Sequence, residues 1–128
     1  MAPVAELSGQ VAKFTQLALR EAYQSQEQKR LGAVVARRGK ILGVGSNTRK
    51  THPLSRATYQ TTHAEVAAIA SAKDSLQGAT LYVVRILRDG SVAMSKPCPG
   101  CQALAESVGI KTIIYTTDCG MLEYMDYD

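Results

Sequence analysis

Pro97-Cys98-Pro99-Gly100-Cys101 opens a helix-spaced apolar run, Ala103, Leu104 and Val108, and its two cysteines stand three residues apart at the front of that run. Residues three apart share a helix face, so the two sulfurs meet. A helix N-terminus favours thiolate over thiol, which readies both cysteines for metal near neutral pH. Upstream, Thr62-His63-Ala64-Glu65 precedes a second apolar run, Val66, Ala67, Ile69 and Ala70. That pattern places His63 and Glu65 on the first turn of another helix. Two residues apart they diverge, which suits one group binding metal while the other reaches past it to the metal's water. One His and two Cys are ligands of the kind zinc takes, and three protein ligands leave a fourth position for water, the arrangement of a catalytic rather than a structural site.

Each motif alone has a plainer reading. Thr62-x-x-Glu65 is also a capping box, in which Glu65 only satisfies a backbone donor. A lone His63 is a satisfied polar group, and C-x-x-C is as compatible with a redox pair as with metal. A structural zinc module would need a fourth protein ligand, for which Cys119 is the one spare cysteine. The redox reading explains neither Pro97 nor the upstream H-x-E.

Together, H-x-E followed by P-C-x-x-C resembles the zinc deaminase signature. From about Leu31 to Gly120 the chain is similar to the cytidine and deoxycytidylate deaminase superfamily. The resemblance implies a Zn²⁺ cofactor on His63, Cys98 and Cys101, with Glu65 as the catalytic acid and base. It implies hydrolytic conversion of a cytosine base to uracil, in cytidine, deoxycytidine or a nucleotide of either. A single-stranded DNA or RNA substrate is the alternative, and adenine or guanine a further one. By the same likeness Asn47 bonds the sugar, the Ala64 N–H holds the base carbonyl, residues around Pro97 and Cys98 accept from the amine, and Tyr115 to Thr117 border the pocket. Two departures stand out. Nucleoside-type members usually carry Cys where His63 stands, and Asn47-Thr48-Arg49 has Arg in place of the Glu of their sugar clamp. Oligomers are common in the superfamily, and Met121 to Tyr127 could cover the edge of a second copy in a homo-oligomer.

Composition is compatible with this and narrows it slightly. A chain of 128 residues is expected to form a single domain, residues 1–128, with a real core. No apolar run approaches membrane-spanning length, and the start lacks the pattern of a signal peptide, so a cytoplasmic protein is expected. The formal charge of +4 and pI near 9.1 welcome an anionic substrate without separating nucleotide from nucleic acid. Single-strand binders usually offer rings for bases to stack on; this chain has no Trp, one Phe and six Tyr.

The remaining elements follow from periodicity. Leu7, Val11, Phe14, Ala18 and Ala22 form the stripe of an amphipathic helix. Leu31 to Ala36 and Ile41 to Val44, joined at Arg38-Gly39, read as a hairpin. Residues 45–62 lose periodicity and carry Arg49, Lys50 and Arg56, candidates for phosphate contact, with His52 as a surface group. Residues 79–87 and 111–117 are β-rich runs flanking the cysteine helix, a parallel crossover. Asp118-Cys119-Gly120 turns the chain into a last, antiparallel strand. The expected architecture is α/β: a three-layer α/β/α sandwich around a five-stranded mixed sheet, with both metal helices on one face.

Overall fold

The computed structural model describes residues 2–3, 9–25, 30–47, 63–118 and 120–127. Along them run β1 (Ala2–Pro3), α1 (Gly9–Gln24), β2 (Arg30–Arg37), β3 (Lys40–Ser46), α2 (Ala64–Ser71), β4 (Thr80–Ile86), β5 (Val92–Ala93), α3 (Pro99–Ser107), β6 (Thr112–Thr116) and β7 (Met121–Asp126). The sheet path is β1-β7-β6-β4-β2-β3, with β5 paired to β4 off that path. β4 and β6 are parallel, and β7 returns antiparallel to β6 as the turn at 118–120 predicts.

Six strands on the path correct the expected five. The five long strands are those read from the sequence; β1 and β5 are two residues each, too short to show any alternation. β1 lies along the outer edge of β7, with Ala2 opposite Leu122 and Pro3 opposite Met121. Part of the edge proposed for a second copy is therefore covered by the chain's own N-terminal segment.

Alternation along the strands divides the core into two layers, as it must where both faces of a sheet are covered. Val34, Ala36, Tyr82, Val84 and Ile114 face α1 and pack with Phe14, Ala18 and Ala22. Phe14 meets the Tyr82 ring at 5.5 Å between centroids, tilted by 45°. Ala33, Val35, Leu81, Val83, Ile113 and Tyr115 face the other way, toward Ala64, Ala68 and Ile69 of α2 and Ala105 of α3. The three layers are thus α1, the sheet, and the pair α2 and α3.

Two local devices position the helices. At the edge strand, the pairing of β2 with β3 slips between Val35 and Ala36, leaving Leu42 without a partner of its own. This bulge keeps Leu42 in the core beneath α2 and turns Ile41 and Val44 outward, where both are exposed. Beyond it, α2 rests directly on Gly43 and Gly45. A Cβ on Gly45 would stand 2.6 Å from both the Ala67 Cβ and the Ala68 nitrogen, and one on Gly43 would strike the Ala68 carbonyl oxygen. Helix α3 ends on Gly109 at φ 91°, with the Gly109 N–H bonded to the Glu106 carbonyl and the Ile110 N–H to that of Ala105. That is the Schellman pair of bonds, which favours glycine at the left-handed position.

The close seat of α2 on β3 gives a test. Gly45→Val should lower stability by about 1–3 kcal/mol, the usual cost of forcing extra atoms into a packed contact, read as a fall in denaturant midpoint. An unchanged midpoint would mean that α2 does not rest on β3 in this way.

Candidate active site

His63 and Cys98 occupy the same structural position on two different helices. His63 is the N-cap of α2 with φ −70° and ψ 150°, and Cys98 is the N-cap of α3 with φ −67° and ψ 162°. Neither side chain caps its own helix. Extended backbone at a cap releases the side chain beyond the helix end. Pro99 follows at the first helical position, where its missing N–H costs nothing, and Cys101 completes that first turn.

These two helix starts meet. His63 Nδ1 lies 3.3 Å from Cys101 Sγ and 3.8 Å from Cys98 Sγ, and the ligand atoms of the three residues all fall within 4.8 Å of one another. A tetrahedral zinc ion with ordinary Zn–N and Zn–S bonds would hold its nitrogen and sulfur ligands about 3.6 Å apart. The observed pair of distances brackets that separation. Among the described residues this is the one group of three or more His, Cys, Asp or Glu side chains so arranged.

Glu65 lies in the same buried space, 3% exposed. With His63 as N-cap, Glu65 stands at the second helical position, not at the third where a capping box requires it. Its Oε1 has no hydrogen-bond partner among the described residues. Burial pushes the Glu65 carboxyl above its ordinary range, and the nearby backbone N–H and Cys101 thiol only partly oppose it. Burial also lowers the His63 imidazole, which favours the neutral ring that a metal needs.

The sequence expectation has the helix dipole and zinc together drawing the proton off each thiol. The protein groups alone push Cys101 strongly upward, first by burial and then by the charges of Glu65 and Cys98. The helix dipole is worth a few tenths to 2 kcal/mol, too little against desolvation beside a carboxylate. A cation among these donors reverses that balance. The donor set, the buried unpartnered Oε1 and the spacing all fit a zinc ion.

The other expected site residues are placed as follows. Ala64 is fully buried, and its N–H belongs to the first turn of α2; the first backbone bond of that helix runs from Ala67 N–H to the His63 carbonyl. Pro97 is buried, with its carbonyl accepting from Gln102 Nε2 at 2.7 Å. Asn47 Oδ1 accepts from the Leu31 N–H at 2.9 Å, the Asn47 N–H donates to the Leu31 carbonyl at 3.2 Å, and Ser25 Oγ donates to the Asn47 carbonyl at 3.1 Å. Tyr115 is buried on the α2/α3 face and its hydroxyl donates to Glu123 Oε2 at 2.8 Å. The structure thus joins His63, Glu65, Cys98 and Cys101 in one cluster and records Asn47 and Tyr115 on bonds to β2 and β7. Arg49, Lys50, His52, Arg56, Thr62 and Cys119 lie outside the described residues.

Sequence reading missed Ser95 and Gln102 and gave Thr116 only a place on the pocket border; the polar atoms of all three hold the segment leading to Cys98. Nothing in their local sequence marks them, since Ser95 and Thr116 meet across 21 positions.

A profile of the cytidine and deoxycytidylate deaminase zinc-binding region matches residues 8–117. Among solved structures, the chain is similar to the dCMP deaminase of cyanophage S-TIM5, at 22% identity and TM-score 0.64 over 87% of this chain and 86% of that one. It is similar to the cytidine deaminase of Burkholderia pseudomallei, at 18% identity and TM-score 0.69 over 93% of each chain. A third likeness is to a diaminohydroxyphosphoribosylaminopyrimidine deaminase/reductase of Thermotoga maritima, at 29% identity and TM-score 0.54 over 83% of this chain and 29% of that one. No curated protein matches in sequence. The profile covers most of the chain and takes in His63, Glu65, Cys98 and Cys101, and the chain belongs to the cytidine and deoxycytidylate deaminase family.

Proposed function

We propose that residues 1–128 form one zinc-dependent hydrolytic deaminase domain that converts cytosine to uracil in a free nucleoside or nucleotide. The observation that carries this reading is the convergence of His63 Nδ1 and the two sulfurs within 4.8 Å beside a buried carboxylate with an unpartnered oxygen. Zinc held by His63, Cys98 and Cys101 supplies a Lewis acid that brings the pKa of water toward neutrality.

The remaining work falls to the chain itself. Glu65 takes a proton from the water as the water oxygen bonds to the ring carbon bearing the amine, and delivers that proton to the adjacent ring nitrogen. It then carries the remaining hydroxyl proton to the amine, and the carbon–nitrogen bond breaks to release ammonia. One carboxyl suffices because the donor and acceptor atoms lie on one edge of the base. A carboxyl close to the metal ligands, with one oxygen unpartnered among the described residues, is suited to shuttling a proton. The Ala64 N–H, at the positive end of α2, is the proposed donor to the base carbonyl. The backbone around Pro97 and Cys98 accepts from the amine; the Pro97 carbonyl has a second lone pair beyond the one taken by Gln102.

Asn47 is the proposed sugar contact. Gly43 and Gly45 face α2 in the order Ala68 to Ala67, so two more residues along β3 lead toward the start of that helix, where His63 and Ala64 stand. The Asn47 side-chain amide supplies donors of the kind that a sugar oxygen accepts. Tyr115, at the end of β6, is the proposed pocket wall. The scarcity of aromatic rings and the charge of +4 support a small substrate that can be anionic. The similar enzymes are named for dCMP, cytidine and an aminopyrimidine, which supports an aminopyrimidine base. The cytoplasm, which keeps thiols reduced, suits a site built on two cysteines.

Three outcomes test this reading. Glu65→Gln should retain zinc while kcat falls by at least about 10²-fold, the range for removing a general acid and base; metal content and turnover measured together decide it. Stripping zinc with a chelator should abolish activity and lower the melting temperature, and readdition should restore both; at about 100 times Kd the ion is worth about 2.7 kcal/mol. Asn47→Asp keeps an acceptor for Leu31 and removes the amide donors, so it should raise KM for cytidine and deoxycytidine while sparing free cytosine. A panel of cytosine, nucleosides, monophosphates and single- and double-stranded DNA, followed by mass spectrometry, supplies the comparison, and activity confined to oligonucleotides would replace the small-substrate reading.

A further inference from the structure

Parallel pairing of β4 with β6 ends at Val83 and Tyr115. One residue further along β6, the Thr116 N–H donates to Ser95 Oγ at 2.7 Å, and Ser95 Oγ donates to the Val83 carbonyl at 2.8 Å. A side-chain hydroxyl thus stands between a backbone donor of one strand and a backbone acceptor of the other. The segment carrying it is inserted between the separating strand ends. Ala93 and Val92 pair with Arg85 and Ile86 on the β4 side, and the Ser95 N–H donates to the Thr116 carbonyl at 2.9 Å on the β6 side.

Thr116 closes the arrangement from its own side. Its Oγ1 donates to the Ala93 carbonyl at 2.7 Å and lies 2.8 Å from Ser95 Oγ. Asp118 Oδ1 accepts from the Met94 N–H at 2.9 Å, which fastens the same segment once more. Ser95 is 2% exposed and Thr116 0%. Bonds so shielded do not compete with water, and each is costly to leave unmade.

What this segment leads to is Cys98. Cys101 belongs to the first turn of α3, whereas Cys98 ends an irregular stretch, residues 94–98. That stretch is tied at its far end to α3, through the Gln102 N–H on the Cys98 carbonyl at 2.9 Å and Gln102 Nε2 on the Pro97 carbonyl. At its near end it is tied to the sheet through Ser95. We infer that Ser95 and Thr116 are positioning residues for the metal site: their paired hydroxyls lock residues 93–95 between β4 and β6 and so fix Cys98 Sγ opposite His63 Nδ1. The inference rests on the zinc reading of that cluster.

The test uses the full chain loaded with cobalt(II) in place of zinc, with three readouts: the thiolate-to-cobalt charge-transfer band, the rate of metal release to a chelator, and the melting temperature. Ser95→Ala and Thr116→Val should each release metal about tenfold faster or more, the range for losing a partner that orients a ligand, with a weakened charge-transfer band. Thr116→Ser keeps the hydroxyl and should match the parent. Phe14→Leu, in the core on the opposite face, should lower the melting temperature and leave release and band unchanged, which separates positioning from general loss of stability. If Ser95→Ala and Thr116→Val keep the parent's band and release rate, the inference is overturned. If neither variant folds, the hydroxyl pair holds the sheet and not the ligand, and it is overturned as well. A parent chain that binds neither zinc nor cobalt would instead overturn the reading of the site itself.

Discussion

Two ionisable groups, Glu65 and Cys101, are buried side by side, with His63 and Cys98 half-buried against them. Concentrating such groups is expensive, because each charge loses hydration and repels the next. The direction of the shifts on Glu65 and Cys101 expresses that cost, both being driven toward their protonated forms. Two helix N-termini supply partial positive charge in the right place but only a fraction of what is needed. A divalent ion held by His63, Cys98 and Cys101 would supply the rest, which is why the donor geometry, and not the motif alone, is the stronger argument for metal.

The rest of the fold serves to make that meeting rigid. α2 arrives through a close seat on Gly43 and Gly45, where any side chain would lift the helix and with it His63 and Glu65. α3 arrives at the end of the excursion that joins β4 to β6, and its register is fixed at the far end by the Schellman bonds at Gly109. Both helices pack on one continuous layer of Leu81, Val83, Ile113 and their neighbours. Complete burial of such a side chain contributes about 1.5–3 kcal/mol, so several together hold the helices against motions that would part the ligands.

How much of this the sequence discloses depends on range. The long strands, α1, the turn at Arg38-Gly39 and the antiparallel return of β7 all follow from local periodicity and turn residues, which act within a few positions. His63, Glu65, Cys98 and Cys101 are legible because zinc chemistry restricts ligand types and the two short spacings are themselves local. β1 and β5 are not legible, since two residues carry no period and their pairing is decided by the strand that happens to lie alongside. The same holds for the Leu42 bulge, which depends on register against Val35, and for Ser95 with Thr116. The thiol shift at Cys101 escaped for a related reason: the helix end is visible in sequence, while the neighbouring carboxylate of Glu65 is brought there only by tertiary structure.

Asn47 and Tyr115 each tie a side chain into the sheet frame. Asn47 extends the β2–β3 pairing by one side-chain bond, its Oδ1 taking the Leu31 N–H just past the last strand residue of β3. Tyr115 bonds the carboxylate of Glu123, its direct partner across the β6–β7 ladder. Each therefore has one polar atom committed to the sheet, and its orientation is set before any substrate arrives. Ordering such a group costs conformational entropy that would otherwise be lost on binding. A pocket that used these two side chains would inherit the rigidity of the sheet, and altering either one would also disturb groups that hold the strands in register.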